Sequence, residues 1–271
     1  MADATKLNQV INPEVLAPFI REQLIKNLVF SGIAGIDTTL VGEPGDTLKV
    51  PTYAYVGMAE DLKEGEDHES VTMSATTKAV TVKKAVRTIG WTDETLLSAL
   101  GNIPDEAGFQ LSQAIYDKVN NDCFKALTAG VPVDAEIKIG TNTDWVADAL
   151  TKFGEKISDP TVLIVHPTQL ATFRKDSQYV YVNQGNTKVS GVVAQIFGTD
   201  VLVSDMVAKD QAFLVRSGAL EIVLKRNPTL ETDRNIWKKE SFLSVDQHYV
   251  AYVKNASKAV QIKGLAPVVK P

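Results

Sequence analysis

His166-Pro167 closes the apolar run TVLIV at Thr161–Val165, and the end of a buried strand is where open α/β sheets present ligand-binding and acid–base groups. An imidazole there could move a proton or ligate a metal. Neither chemistry finds its second residue. His68 and His248 lie in unrelated settings, and no H-E-x-x-H occurs. No acid–base partner can be assigned to His166 by spacing, so it reads as a structural histidine. The one cysteine, Cys123, allows no intrachain disulfide and no cysteine-rich zinc site. Gly32-Ile33-Ala34-Gly35 lacks the Lys-Ser/Thr that completes a phosphate loop, and no serine occupies a G-x-S-x-G turn. Residues 60–69 (EDLKEGEDHE) could offer carboxylates to calcium, but Leu62 stands where such a loop needs an oxygen. That stretch reads as a solvated loop tip. No catalytic, cofactor-binding or metal-ligating set emerges.

What remains is chemistry between surfaces. Residues 47–56 (TLKVPTYAYV) and 71–89 (VTMSATTKAVTVKKAVRTI) are rich in β-branched and aromatic side chains, as strands are. The turn Gly42-Glu43-Pro44-Gly45-Asp46 leads into them. At about 3.3 Å per residue these strands reach roughly 40–60 Å, against a radius of gyration of about 18–19 Å for a compact chain of this length. A ribbon that long projects from its own domain, and an isolated hairpin is marginal in water. It is expected to lie on a neighbouring subunit. Its tip holds Glu60, Asp61, Glu64, Glu66 and Asp67 against Lys63, while its second strand carries Lys78, Lys83, Lys84 and Arg87. Opposite charges segregated along one arm suggest docking onto complementary neighbours.

The elements around the ribbon follow from periodicity. In residues 1–41, Leu16, Ile20, Leu24 and Leu28 repeat at helical spacing behind Asn12-Pro13. Thr92-Asp93-Glu94 caps a short helix. Pro104-Asp105-Glu106 opens a long one, with a stripe of Leu111, Ala114, Ile115, Val119, Cys123, Ala126 and Leu127 and with Lys118 on its polar side. Residues 140–226 alternate helices with short apolar strands and read as an α/β lobe. In residues 227–271 three β segments, at 241–245, 249–253 and 259–262, are expected to pair in one sheet beside the long helix. The division is therefore 1–41 arm, 42–91 hairpin, 92–139 helices, 140–226 α/β lobe and 227–271 strands, an α+β fold.

The chain of 271 residues is 44 % apolar with a formal charge of −5. Wholesale electrostatic binding of nucleic acid is not expected of it. The N-terminus lacks the layout of a signal peptide, and no run approaches the ~18 apolar residues of a membrane helix.

This order of parts resembles the major capsid protein of tailed bacteriophages, the HK-ninety-seven fold. Three phrases carry the likeness: VGEPGDTLKVP at 41–51, VHPT at 165–168 with FRKD at 173–176, and IFGTDVLVSD at 196–205. The resemblance implies an N-arm, a long β-hairpin E-loop, a spine helix, an α/β A-domain and a β-rich P-domain. It also implies a non-enzymatic subunit without cofactors that builds hexamers and pentamers of an icosahedral shell around double-stranded DNA. The DNA is enclosed without sequence-specific binding, and no membrane is involved. Localisation would be the virion, after synthesis in the bacterial host cytoplasm. No helical segment precedes the arm, which in the resemblance implies either a separate scaffolding protein or none, the former being expected, with a portal as a further partner. Two other readings stay open: an encapsulin-like compartment shell, and a soluble α/β enzyme resting on the 140–226 lobe.

Overall fold

A computed structural model describes residues 30, 33–53, 56, 58–59, 61, 70, 72–73, 75–98, 102–140, 142–154, 160–175, 180–181 and 192–264. The amphipathic pattern from Leu16 to Leu28 lies outside them. In chain order come β1 (Gly35–Asp37), β2 (Thr47–Tyr53), β3 (Ala75–Thr81), β4 (Lys83–Thr92), α1 (Asp93–Ser98) and α2 (Ile103–Gly130). The α/β part follows with β5 (Val133–Asp134), α3 (Asp144–Thr151), β6 (Thr161–Val165), α4 (Pro167–Phe173), β7 (Val180–Tyr181), β8 (Val192–Ile196), β9 (Thr199–Val203) and β10 (Gln211–Arg216). Two long strands, β11 (Leu220–Asn235) and β12 (Glu240–Val253), precede the short β13 (Ala259–Lys263).

These strands make a four-stranded sheet in the order β1-β11-β12-β4, a seven-stranded sheet in the order β5-β13-β10-β6-β9-β8-β7, and the two-stranded ribbon β2-β3. The long helix α2 faces both larger sheets. Its Leu111, Ile115, Val119, Cys123 and Leu127 share one core with Leu243, Val245 and Tyr249 of the four-stranded sheet, and with Val162, Ile164, Phe213 and Val215 of the seven-stranded one. Phe124 stands 6.3 Å from Phe213, centroid to centroid, and meets Phe30 edge-on at 4.9 Å. The other face of the seven-stranded sheet buries Leu163, Val165 and Leu214 under α3 and α4, where Trp145 lies 5.8 Å from Phe173. Because successive strand residues point to opposite faces, β6 is apolar from Val162 to Val165 and buried throughout, Thr161 included.

Four sequence expectations change. The second ribbon strand is not continuous: at Val82 the chain leaves β2, and β4 pairs with β12 instead. The inward phase moves with it, from Val80 in β3 to Ala85 in β4. The ribbon strands are thus seven residues each, about 23 Å, not 40–60 Å. Its base also packs at home, with Val80 buried against Val223 and Tyr252 on the outer face of the four-stranded sheet. The segments at 241–245 and 249–253 are one strand, β12, whereas β13 pairs with β10 and β5 in the other sheet. Finally, β11 runs unbroken through 226, so a division at that residue falls inside a strand. Strand pattern reports burial, and the hydrogen-bonding partner is set by residues far away in sequence.

The buried α2 stripe generates a test. Ile115→Ala should destabilise the subunit by about 2–5 kcal/mol, seen as a lower urea midpoint at unchanged slope. Lys125→Ala, on the exposed face of the same helix, should stay within about 0.5 kcal/mol.

Candidate assembly surfaces

The charged residues singled out along the arm divide into three groups. Glu60, Lys63, Glu64, Glu66 and Asp67 lie outside the described residues, and Asp61 is exposed. Lys78, on β3, places its ammonium 5.9 Å from the centre of the Tyr252 ring, a cation–π distance. Lys83, Lys84 and Arg87 are on β4 and belong to the body of the four-stranded sheet rather than to the ribbon. The expectation that they share one arm with the acidic tip is corrected by the break at Val82.

Lys83 and Lys84 point to opposite faces of that sheet, as neighbours on a strand must. Each finds a buried carboxylate. Lys83 meets Asp122 of α2 at 2.8 Å, and Lys118 reaches the other oxygen of the same carboxylate at 2.8 Å. Tyr249, from β12, donates its hydroxyl to Asp122 at 2.7 Å. Asp122 has a side chain only 4 % exposed. Burial pushes its carboxyl upward, but hydrogen bonds from Lys118, Lys83 and Tyr249 outweigh this and hold it below the usual carboxylate range. The Tyr249 phenol is raised by burial and by its bond to Asp122. Helix, central strand and edge strand are joined at one charge. Lys118 is therefore part of that joint and not an idle residue of the polar face.

On the opposite face, the buried carboxylate of Asp246 has Arg226 at 3.4 Å, His248 at 3.4 Å and Lys84 at 3.8 Å. This cluster lies where the β11–β12 pairing shifts register around Arg226. Arg87 is exposed; its carbonyl accepts a 3.5 Å bond from Ser244.

The candidate catalytic features resolve as structural ones. His166 caps α4, its Nδ1 accepting from the Thr168 amide at 3.1 Å. Cys123 is fully buried, and its thiol is pushed up to about 12 by burial and by the Asp122 charge. Among the described residues no group of three or more His, Cys, Asp or Glu side chains could hold a metal ion. No described helix is long and apolar enough to cross a membrane.

Sequence reasoning overlooked an apolar surface. The turn joining β11 to β12 carries Ile236 at 67 % exposure and Trp237 at 97 %. Beside it, α1 presents Leu96 and Leu97, the latter 86 % exposed. Arg234 of β11 is bound to Asp93 of α1 at 2.8 Å, which fixes the two together. The available signal was a tryptophan and an isoleucine in a turn, where Gly, Asn, Asp, Ser and Pro dominate.

The described geometry is similar to known proteins at three levels. The phage capsid protein family matches residues 75–262. The major capsid protein of Staphylococcus phage phiMR11 is 34 % identical over 263 residues, covering 95 % of each chain. Among solved structures, the capsid of the cyanophage P-SCSP1u has a TM-score of 0.69 at 11 % identity, covering 97 % of this chain and 93 % of that one. The subunit of Gordonia phage Cozz has a TM-score of 0.66 at 16 % identity, covering 88 % and 86 %.

The Asp122 joint has a definite pH signature. A carboxyl held below its unfolded value contributes stability that is present above about pH 4 and lost as pH falls through the lower folded value. Asp122→Asn should cost about 1–3 kcal/mol at neutral pH. The difference from wild type should stay constant above about pH 4 and shrink below it, as urea unfolding across a pH series would show.

Proposed function

This chain belongs to the phage capsid protein family, and on that premise we propose that its copies close into hexamers and pentamers around packaged double-stranded DNA. The family membership makes it a self-assembling major capsid subunit of an icosahedral shell, a structural protein and not an enzyme, with the HK-ninety-seven fold and a place in the virion. The observation that carries the reading is the 34 % identity extending over 95 % of both chains. It favours a phage shell over an encapsulin-like compartment. The enzyme reading loses its one candidate residue, since His166 is engaged as a helix cap.

In this reading residues 42–81 form the E-loop, α2 is the spine helix, the seven-stranded sheet is the A-domain and the four-stranded sheet is the P-domain. The ribbon is anchored at its base by Val80, and its acidic tip, Glu60, Asp61, Glu64, Glu66 and Asp67 with Lys63, docks on a neighbouring subunit. Exposed ion pairs contribute only about 0–1 kcal/mol each, so the shell's strength comes from repetition across many copies. A formal charge of −5 suits a wall that encloses DNA without gripping it. A portal and a separate scaffolding protein are its further partners, and assembly takes place in the bacterial cytoplasm.

Deleting residues 58–71 tests the docking role. The variant should fold and stay soluble, with the wild-type circular dichroism spectrum, yet form no shells by negative-stain microscopy. Normal shells from the deleted chain would remove the ribbon tip from the assembly mechanism.

A further inference from the structure

The β11–β12 turn is ordered although its two apolar side chains face water. Asn235 Oδ1 accepts from the backbone amides of Trp237 and Lys238 at 3.1 and 3.2 Å. Lys239 closes the turn in the left-handed region at φ 54°, and its carbonyl accepts from the Asp93 amide at 2.9 Å. The tip is thus held in shape before any partner arrives, which lowers the ordering cost of binding. Tryptophan so placed has the profile of an interface anchor. Its flanks are basic, with Lys238 and Lys239 both exposed.

The same chain carries an open cleft of opposite character. It lies at the start of α2, with a volume of about 560 Å³, within the ~300–1,000 Å³ range of small-ligand sites. Ile89, Ile103 and Ala107 line its apolar part; Asp105, Glu106 and Gln110 supply its polar rim. Trp237 does not occupy the cleft of its own subunit, since it is 97 % exposed.

We propose that the Ile236–Trp237 tip of one copy seats in the α2 cleft of a second copy, with Lys238 and Lys239 facing Asp105 and Glu106. The inference rests on the reading that this chain assembles with itself. A knob and a hole of opposite charge on different parts of one subunit make a head-to-tail contact, and that kind of contact propagates around a closed ring. It is separate from the ribbon, because it uses the far end of the four-stranded sheet.

Chains carrying Trp237→Cys are mixed with chains carrying Gln110→Cys, assembled and oxidised. Cys123 is buried and will not compete. The expected product on a non-reducing gel is a covalent dimer that requires both variants. Particles without that product, or with dimers formed by Trp237→Cys chains alone, overturn the inference while leaving the shell reading intact. Should the cysteine variants fail to assemble, the wild-type protein decides. Trp91 and Trp145 are buried, so the emission difference between wild type and Trp237→Phe isolates Trp237. That difference should move to shorter wavelength on passing from subunits to particles; an unmoved, water-like emission overturns the inference. A shift without the mixed dimer in assembled variants means that some other partner covers the tip, and also overturns it. Wild-type chains that form no particles at all would instead remove the shell reading itself. Trp237→Ala should raise the concentration needed for assembly about tenfold or more.

Discussion

One helix has to satisfy two sheets at once, and the rest of the subunit is arranged around that demand. The stripe from Leu111 to Leu127 is buried on the four-stranded side by Leu243, Val245 and Tyr249, and on the seven-stranded side by Val162, Ile164 and Phe213. A helix so enclosed has little room for polar groups, yet α2 places Asp122 there with 4 % of its side chain exposed. Three donors, Lys83, Lys118 and Tyr249, come from three different elements to meet it. An unpaired buried carboxylate would be costly. The same charge therefore constrains the rotation of α2 against β4 and β12, because Lys83 and Tyr249 reach it from those strands while Lys118 turns with the helix itself.

From that joint the two working ends of the subunit take their positions. The ribbon leaves the four-stranded sheet at Val82 and folds back far enough for Val80 to pack on Val223 and Tyr252. At the other end the β11–β12 hairpin runs out to the turn at 236–239, tied to α1 by Arg234 and Asp93. The ribbon is two-stranded, and two-stranded ribbons are marginal alone; at the other end β4 flanks β12 as far as Glu240, so three strands support the turn. Each is rooted in the four-stranded sheet, the ribbon through Val80 and the hairpin through its own strands. A rigid middle with protruding contacts suits a shell, where weak interfaces are multiplied by symmetry.

The sequence disclosed most of what is local. The α2 stripe, the Thr92 cap of α1, the fully buried β6 and the His166-Pro167 start of α4 are each written in a few adjacent residues, and each is present. What it hid is non-local. Residues 71–89 read as one strand because every position suits β structure, while the choice between β2 and β12 as partner depends on residues about 30 positions before and 160 after. β13 resembles its neighbour β12 in pattern and still joins the other sheet. At the surfaces, the acids at 60–69 are conspicuous in sequence as a dense run of charge. Lys83 and Lys84 looked free only because Asp122 and Asp246 lie far along the chain. Trp237 is hidden for the opposite reason: a large apolar side chain suits a core by type, and only the fold places this one in water.

The central claim is that assembly acts on the extensions and leaves the α2 joint unchanged. Hydrogen–deuterium exchange compared between free subunits and assembled particles tests it directly. The account predicts that amides of β2, β3 and the 235–240 turn gain protection on assembly, whereas those of α2 from 107 to 127 exchange equally slowly in both states. A change in α2 as large as that in the extensions would contradict it, since the helix would then be remodelled by assembly rather than preformed for it.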